Sequence, residues 1–110
     1  MDFKVVEGSE KFFKISAVEN KKEIGRCKIC LIKNDLHKKP YALLEDVFVE
    51  EENRSKGIGS SLIEKAIELA KSKGCYKIIA TSRFERENVH RLYEKFGFKK
   101  WGLEFRIDLE

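Results

Sequence analysis

A short glycine-containing segment, Arg54–Gly59, has the residue types and spacing to hold a phosphate group. It follows an apolar stretch predicted to be a strand, Tyr41–Val49, and precedes an amphipathic segment predicted to be a helix, Ser60–Lys71. The first N–H groups of a helix lack acceptors within the helix, and the helix dipole adds positive potential there. Glycine also lets the main chain approach an anion closely. The segment therefore predicts an anion-binding loop built from main-chain amides.

The glycine spacing excludes two common nucleotide-binding motifs. A P-loop requires a lysine directly after its second glycine, whereas Lys56 precedes Gly57. The dinucleotide-binding fingerprint requires a third glycine where this chain has Leu62. The pattern that remains is R-x-x-G-x-G between a strand and a helix. On this loop alone, a plain glycine turn with a basic flank is an equal alternative.

The composition indicates one globular domain, residues 1–110, with 42% hydrophobic and 38% charged residues. No stretch approaches the ~20 apolar residues that a membrane helix needs, and the first residues show no apolar signal region. We therefore expect a cytoplasmic protein that does not enter a membrane. The net charge of +4, with mixed signs along the chain, argues against nucleic acid and suits an anionic small molecule.

The pair Cys27-x-x-Cys30 has the spacing of two zinc ligands. No second pair of Cys or His stands at metal spacing, and residues three apart on a strand point to opposite faces. We therefore expect reduced thiols that pack as small hydrophobic groups, and no metal.

Hydrophobic periodicity predicts an α/β (α+β) fold with antiparallel strands first, then a strand–helix–strand unit with parallel neighbours, then a helix and a strand. Gly25 is treated as a tolerated residue within the third strand. The predicted strands are Phe3–Glu7, Phe12–Val18, Ile24–Ile32, Tyr41–Val49, Cys75–Ala80 and Leu103–Leu109, and the predicted helices are Ser60–Lys71 and Glu85–Phe96.

Three pieces in this order resemble the GNAT acyl-CoA N-acyltransferases: Glu45–Val49, Arg54–Gly59 and Asn88–Phe98. The strings Gly74–Ile78 and Tyr93–Phe98 are most similar to the glucosamine-6-phosphate N-acetyltransferase branch. The resemblance implies a GNAT-like mixed, mainly antiparallel sheet of about six strands with two main helices. The helix pair that usually separates the first two strands of the family is missing here.

The resemblance also implies that acetyl-CoA, the acyl donor, lies along the fourth strand. Its pantetheine amides would pair with the main chain there, and its pyrophosphate would lie on N–H groups of the loop, with charge from Arg54 and Lys56. For Asn88, which would reach the CoA arm, helix capping is a nearly equal alternative. The implied CoA-binding residues are Val47, Phe48, Val49, Arg54, Ser55, Lys56, Gly57, Ile58, Gly59, Ser60 and Asn88.

By the same resemblance, the Tyr93 hydroxyl protonates or hydrogen-bonds the departing CoA sulfur, although periodicity alone would place Tyr93 in the core. An ammonium acceptor must lose a proton before it attacks, and Glu45 or Asp46 could accept it directly or through water. Consecutive strand residues face opposite sides, so only one of the two can reach a given slot, and Glu45 is slightly preferred. His37 and His90 are expected to be exposed.

We therefore predict an N-acetyltransferase that moves acetyl from acetyl-CoA to a primary amine of a small molecule, an aminosugar or another metabolite, by direct attack in a ternary complex. By analogy with the same branch we expect a homodimer. Thr81 stands near the place of an aspartate typical of that branch, and Arg83 and Arg86 are either acceptor-binding residues or plain surface charge. The alternatives are a protein or peptide amine acetyltransferase, a CoA-binding module without catalysis, and a small RNA-binding domain.

Overall fold

The computed structural model describes all 110 residues, which form four strands and two α-helices. The chain divides into two compact units, Met1–Ile79 and Ala80–Glu110. None of the helices is long and apolar enough to cross a lipid bilayer. The elements are β1 (Phe12–Glu19), β2 (Lys22–Ile32), β3 (Tyr41–Val49), a short 3₁₀ turn (Glu51–Asn53), α1 (Ile58–Ser72), β4 (Ile78–Ala80) and α2 (Glu87–Lys95).

The four strands form one mixed sheet in the order β1-β2-β3-β4. β1, β2 and β3 pair antiparallel in sequence order. The β1–β2 connection is a two-residue turn at Asn20 and Lys21, whose φ values of 51° and 63° suit a tight hairpin. Ala42 N–H donates to Lys77 O at 3.0 Å, which joins the start of β3 to the chain entering β4. The predicted class, a mixed sheet with two main helices, is confirmed.

The core of the first unit lies between α1 and one face of the sheet. The helix has apolar residues three and four positions apart, and this stripe is the buried one, as an amphipathic helix on a sheet requires. The sheet contributes alternate residues of β2 and β3. The buried apolar residues are Ile24, Cys27, Ile29, Ala42, Leu44, Leu62, Ile63, Ala66 and Ala70.

Two predicted strands, Phe3–Glu7 and Leu103–Leu109, are wrong, so the sheet has four strands rather than about six. Both segments are exposed along their whole length and belong to no strand. Their alternating apolar residues are typical of half-buried strands, but a strand forms only where it pairs with a neighbour. Neither segment has a partner strand in the sheet. A third predicted strand, Cys75–Ala80, is shortened to Ile78–Ala80, because Cys75 N–H and Tyr76 N–H donate to Ala70 O and Pro40 O.

Helix α1 begins at Ile58, two residues before its predicted start, and ends where Gly74 was expected to stop it. Gly74 has φ 77°, and Gly74 N–H and Cys75 N–H donate back to Lys71 O and Ala70 O, each at 3.0 Å. These two bonds form the glycine-dependent Schellman cap. Helix α2 is shorter than predicted at both ends, and Gly97 with φ 100° follows it.

Candidate functional site

The segment between β3 and α1 carries main-chain amides that no atom of the protein accepts. Arg54 N–H donates to Glu51 O at 3.3 Å, and the next amide with an acceptor is Ser61 N–H, which donates to Gly57 O at 3.1 Å; the amides of residues 55–60 between them donate to nothing in the chain. Ser55 and Gly57 have positive φ values of 66° and 81°. Such conformations gather neighbouring N–H groups into a concave anion-binding arrangement. With the positive end of α1 behind it, this segment can hold a phosphate or diphosphate.

The two glycines of this loop have different reasons to be there. Gly57 has φ 81°, which side chains rarely adopt, so the fold itself needs glycine at this position. Gly59 has no positive φ, and a Cβ added to it would meet only Val49 Cγ2, at an ordinary 3.9 Å. The fold would accept a side chain at Gly59. Its absence leaves the start of α1 open to the close approach of another molecule.

Gly25 on β2 fixes the distance between the sheet and this helix start. A Cβ added there would lie 3.1 Å from both Ile58 Cγ2 and Phe48 O and 3.3 Å from Leu62 Cδ1. Phe48 O belongs to the main chain of β3 and cannot move aside easily. Glycine at this strand position therefore permits close packing of β2, β3 and α1.

The two basic residues of the loop occupy different positions. Arg54 Nε donates to Val49 O at 2.8 Å, and its guanidinium carbon lies 5.5 Å from the centroid of the Phe48 ring. Arg54 is therefore held against the end of β3 and adds positive charge at the base of the loop. Lys56 Nζ is 3.5 Å from Asn53 Oδ1, which is the outer limit of a hydrogen bond, and its side chain is exposed.

Strand β3 is irregular at the residues predicted to contact the acyl donor. Arg26 of β2 lies opposite Phe48 of β3, and Lys28, two residues further along β2, lies opposite Glu45, three residues back along β3. Two residues of β3, Asp46 and Val47, thus stand against one of β2, which defines a β-bulge. Asp46 has φ 56°, an uncommon value for a residue with a side chain. A bulge leaves main-chain groups outside the ladder, where they can pair with a ligand.

The predicted carboxylates differ in their surroundings. Asp46 accepts a hydrogen bond from Arg26 Nε at 3.0 Å, whereas Glu45 makes no ion pair. Through this bond Asp46 raises the pKa of the Arg26 guanidinium. Both carboxylates are exposed, since the left-handed conformation of Asp46 breaks the alternation expected of a regular strand. Of the two, only Asp46 has an ion-pair partner.

The second unit carries the predicted residues Asn88 and Tyr93 on α2. Asn88 is exposed and is not the cap of the helix, since the N-cap residue is Arg86. Tyr93 is half-buried, with its ring centroid 5.2 Å from that of Phe98. The expected exposure of His90 is wrong, because it is half-buried and its Nε2 lies 2.7 Å from Arg83 O.

Other features of the first unit do not supply a nucleophile. Burial raises the pKa of the Cys27 thiol to about 11, so this sulfur is protonated at neutral pH. Burial also raises the pKa of Cys75.

One surface cavity, of about 600 Å³, is lined by Glu10 and residues 33–38 and includes none of the predicted site residues. His37, which is exposed as expected, stacks on Tyr76 at 4.0 Å beside it.

The sequence pattern of the acetyltransferase (GNAT) family matches residues 3–98. The chain belongs to this family. It is 41% identical over 66 residues to a protein of Trypanosoma brucei brucei named glucosamine 6-phosphate N-acetyltransferase, a match that covers 60% of this chain and 43% of that protein. The chain thus spans less than half the length of this curated relative.

Solved GNAT structures share the fold. An acetyltransferase of Trypanosoma brucei superposes with a TM-score of 0.81 and 28% identity, over 89% of this chain and 69% of that one. An aminoglycoside acetyltransferase from an uncultured soil sample superposes with a TM-score of 0.80 and 27% identity, over 93% and 68% of the two chains. The resemblance that the motifs suggested is therefore confirmed at the level of family and fold.

Sequence reasoning missed two residues that shape this region, Gly25 and Arg26. Glycine inside a strand is itself a sign of a bulge or a close approach, so Gly25 offered a signal. Arg26 offered none, since nothing in the sequence pairs it with Asp46, twenty positions away.

Proposed function

We propose that the protein is an N-acetyltransferase that moves acetyl from acetyl-CoA to a primary amine of a small molecule by direct attack. The observation that carries this proposal is the run of unpaired amides over residues 55–60, at the start of α1. A diphosphate on these amides would gain charge-assisted hydrogen bonds, which are about twice as strong as neutral ones. Gly59 and the positive charge of Arg54 favour the same ligand.

The bulge in β3 gives the acyl arm of the donor a second attachment. Main-chain groups at Val47, Phe48 and Val49 would pair with the amides of the pantetheine arm, as an added strand pairs with a sheet edge. In the second unit, Asn88 would contact the CoA arm. These groups bind and orient the donor, and orientation alone can supply several kcal/mol of the barrier, on the order of 7 for well-aligned groups.

We assign two of the proton transfers in this reaction to Glu45 and Tyr93. Glu45 takes a proton from the ammonium acceptor, directly or through water, and the freed nitrogen lone pair forms the new C–N bond at the thioester carbonyl carbon. The C–S bond breaks, and the Tyr93 hydroxyl donates its proton to the departing sulfur. The nitrogen still carries one extra proton after the attack, and it returns that proton to the Tyr93 oxygen, directly or through water, so that the neutral amide forms. Asp46 is the second candidate for the base; it ranks behind Glu45 because its carboxylate already accepts a hydrogen bond from Arg26 Nε at 3.0 Å.

The acceptor class is proposed from resemblance rather than from a pocket. The 41% identity to the trypanosome relative supports an aminosugar phosphate such as glucosamine 6-phosphate as the first acceptor to test. Thr81 stands near the place of the aspartate typical of that branch, so other small amines belong in the same screen.

The proposal is tested by titrating CoA into the protein by calorimetry and by measuring thiol release from acetyl-CoA with a panel of amines. We expect saturable heat with CoA and turnover with at least one amine. Tyr93→Phe should retain CoA binding and lose roughly 100-fold in kcat, in keeping with the removal of a general acid. The absence of CoA binding would refute the proposal. Binding without turnover on any amine, peptides included, would favour a CoA-binding module.

We also infer that the protein is a homodimer in which the segment 101–109 meets a second copy. Trp101, Leu103, Phe105, Ile107 and Leu109 occupy alternate positions, which is the pattern of a strand with one covered face, yet all five are exposed. Such an apolar row in water favours association. Light scattering at micromolar concentration should give twice the 12.9 kDa chain mass, and a monomer there would contradict the inference.

A further inference from the structure

The bulge in β3 contains a strained residue that the chain must hold in place. Asp46 adopts φ 56°, a conformation that non-glycine residues enter only occasionally and that is out of place in the middle of a strand, although aspartate tolerates it better than most residues. A residue held in a sparsely populated conformation persists only when its surroundings determine it. The conformation of Asp46 must therefore be fixed by the side chains that contact the bulge.

The Arg26 side chain contacts β3 on both sides of Val47, at Asp46 and at Phe48. Its Nε donates to Asp46 Oδ2 at 3.0 Å, and its guanidinium carbon lies 4.7 Å from the centroid of the Phe48 ring. Asp46 and Phe48 flank Val47, so a single guanidinium is attached to the residues before and after it. An ordinary surface ion pair would involve only one of them.

Arg26 is itself held by neighbours. Its Nη1 lies 4.0 Å from Glu23 Oε2, and Glu23 in turn accepts hydrogen bonds from Ser16 Oγ at 2.7 Å and Lys14 Nζ at 2.9 Å. Lys14 and Ser16 of β1 bind Glu23 of β2, and Glu23 lies beside Arg26, so the four side chains form one connected polar network. Such networks restrict the side chains within them more than isolated pairs do.

The same aromatic ring links the bulge to the phosphate loop. Arg54, the first basic residue of that loop, lies 5.5 Å from the Phe48 centroid and donates from Nε to Val49 O at 2.8 Å. Phe48 therefore contacts two guanidinium groups, one attached to the bulge and one attached to the loop. A shift of Phe48 would change both regions of the proposed donor site together.

We propose that Arg26 is a positioning residue that holds the Asp46–Val47 bulge in the conformation that binds the acyl arm of the donor. This inference rests on the proposed function, since it assigns the bulge to the donor. Arg26 contacts no reacting atom. It acts through Asp46 and Phe48, and its loss should therefore misplace the thioester most, while the loop amides, which Arg26 does not contact, shift only through the Phe48 ring.

The test compares Arg26→Gln and Arg26→Lys with the control Lys65→Gln, which breaks another exposed ion pair, with Glu68 at 3.5 Å. In Arg26→Gln, the backbone NMR shifts of Asp46 should move away from left-handed values, those of Val47 should change with them, and kcat should fall roughly 10-fold to 100-fold, the loss expected from a small misplacement. CoA affinity in the calorimeter should fall less than kcat does, because the pantetheine contacts of the bulge are weakened while the diphosphate contacts at residues 55–60 remain. Arg26→Lys, which retains the charge without the planar group, should fall between wild type and Arg26→Gln.

The two proposals fail in different ways. If the wild type neither binds CoA nor turns over, the proposed function fails, and with it the assignment of the bulge to the acyl donor. If the wild type is active and Arg26→Gln retains either the wild-type shifts or the wild-type kcat, the positioning role is overturned. An equal loss of kcat in Lys65→Gln would also overturn it, because any surface ion pair would then have the same effect.

Discussion

The Gly59→Ala variant separates what the fold needs from what a bound anion needs. In the structure, a Cβ at this position would meet only Val49 Cγ2, at 3.9 Å, and the backbone there is not in the left-handed region. Alanine should therefore fit without strain. Because glycine inside a helix costs about 0.5–1 kcal/mol relative to alanine, the variant should be as stable as the wild type or slightly more so.

Binding should move in the opposite direction. A methyl group at the start of α1 would stand where a diphosphate has to approach the amides of residues 55–60. The loss of even one hydrogen bond to a charged group is worth about 1.5–3 kcal/mol, so CoA affinity should fall by roughly 10-fold or more. Few single substitutions are expected to raise stability and weaken binding together.

The assay pairs urea unfolding with calorimetric titration of CoA on the same preparations. Ser61→Ala is the matched control, because Ser61 is exposed on the same helix and its amide already donates to Gly57 O. Gly57→Ala is the contrasting variant. Its φ of 81° makes alanine cost roughly 1–2 kcal/mol, so stability and binding should both fall. Wild-type CoA affinity in a folded Gly59→Ala protein would refute the assignment of the loop.

Three further outcomes are expected. Gly25→Ala should lower the free energy of unfolding by roughly 1–3 kcal/mol, as overpacking does, because the new Cβ would lie 3.1 Å from Phe48 O; unchanged urea midpoints would contradict this. The Cys27 thiol, with a pKa raised from 9.0 to about 11, should resist labelling in the native protein at pH 8, and its contribution to stability should be complete below pH 9 and disappear as the pH rises towards 11. The hydrogen bond from the Ser16 hydroxyl lowers the pKa of Glu23 below its usual value of 4.5, so the Glu23 carboxylate stabilises the fold above pH 4.5 and loses that effect as the pH falls further. In Glu23→Gln, the free energy of unfolding should therefore depend less on pH in acidic solution, which urea unfolding at several pH values would measure.

Local patterns were sufficient to predict the central elements. The continuous apolar run of β3 gave its bounds, Tyr41–Val49, as the structure has them, and glycine chemistry predicted the end of α1 at Gly74. The start of α1 was placed two residues too late. Ile58 packs against Gly25, and this contact with a distant strand is not visible in the local sequence.

The errors in the prediction concern which segments pair or contact each other, not the hydrophobic patterns within the segments. The segments 3–7 and 103–109 alternate like strands, but alternation cannot say which edge a strand pairs with, and in the structure neither segment is paired. The bulge at Asp46 was also missed, because no propensity scale favours a left-handed aspartate in mid-strand. Tertiary contacts such as the Arg26 bond decide such a position.

The loop amides also have a consequence for how this protein would be studied by genetics. The donors at residues 55–60 belong to the main chain, so every amino acid except proline supplies the same group. Alanine substitutions at Ser55, Lys56 and Ser60 would leave the donors intact, so an alanine scan would show these positions as tolerant. Only substitutions that alter the path of the backbone, or that fill the space above Gly59, would reveal its importance. Variation among natural homologues should therefore be wide in side-chain chemistry here and narrow at the glycines.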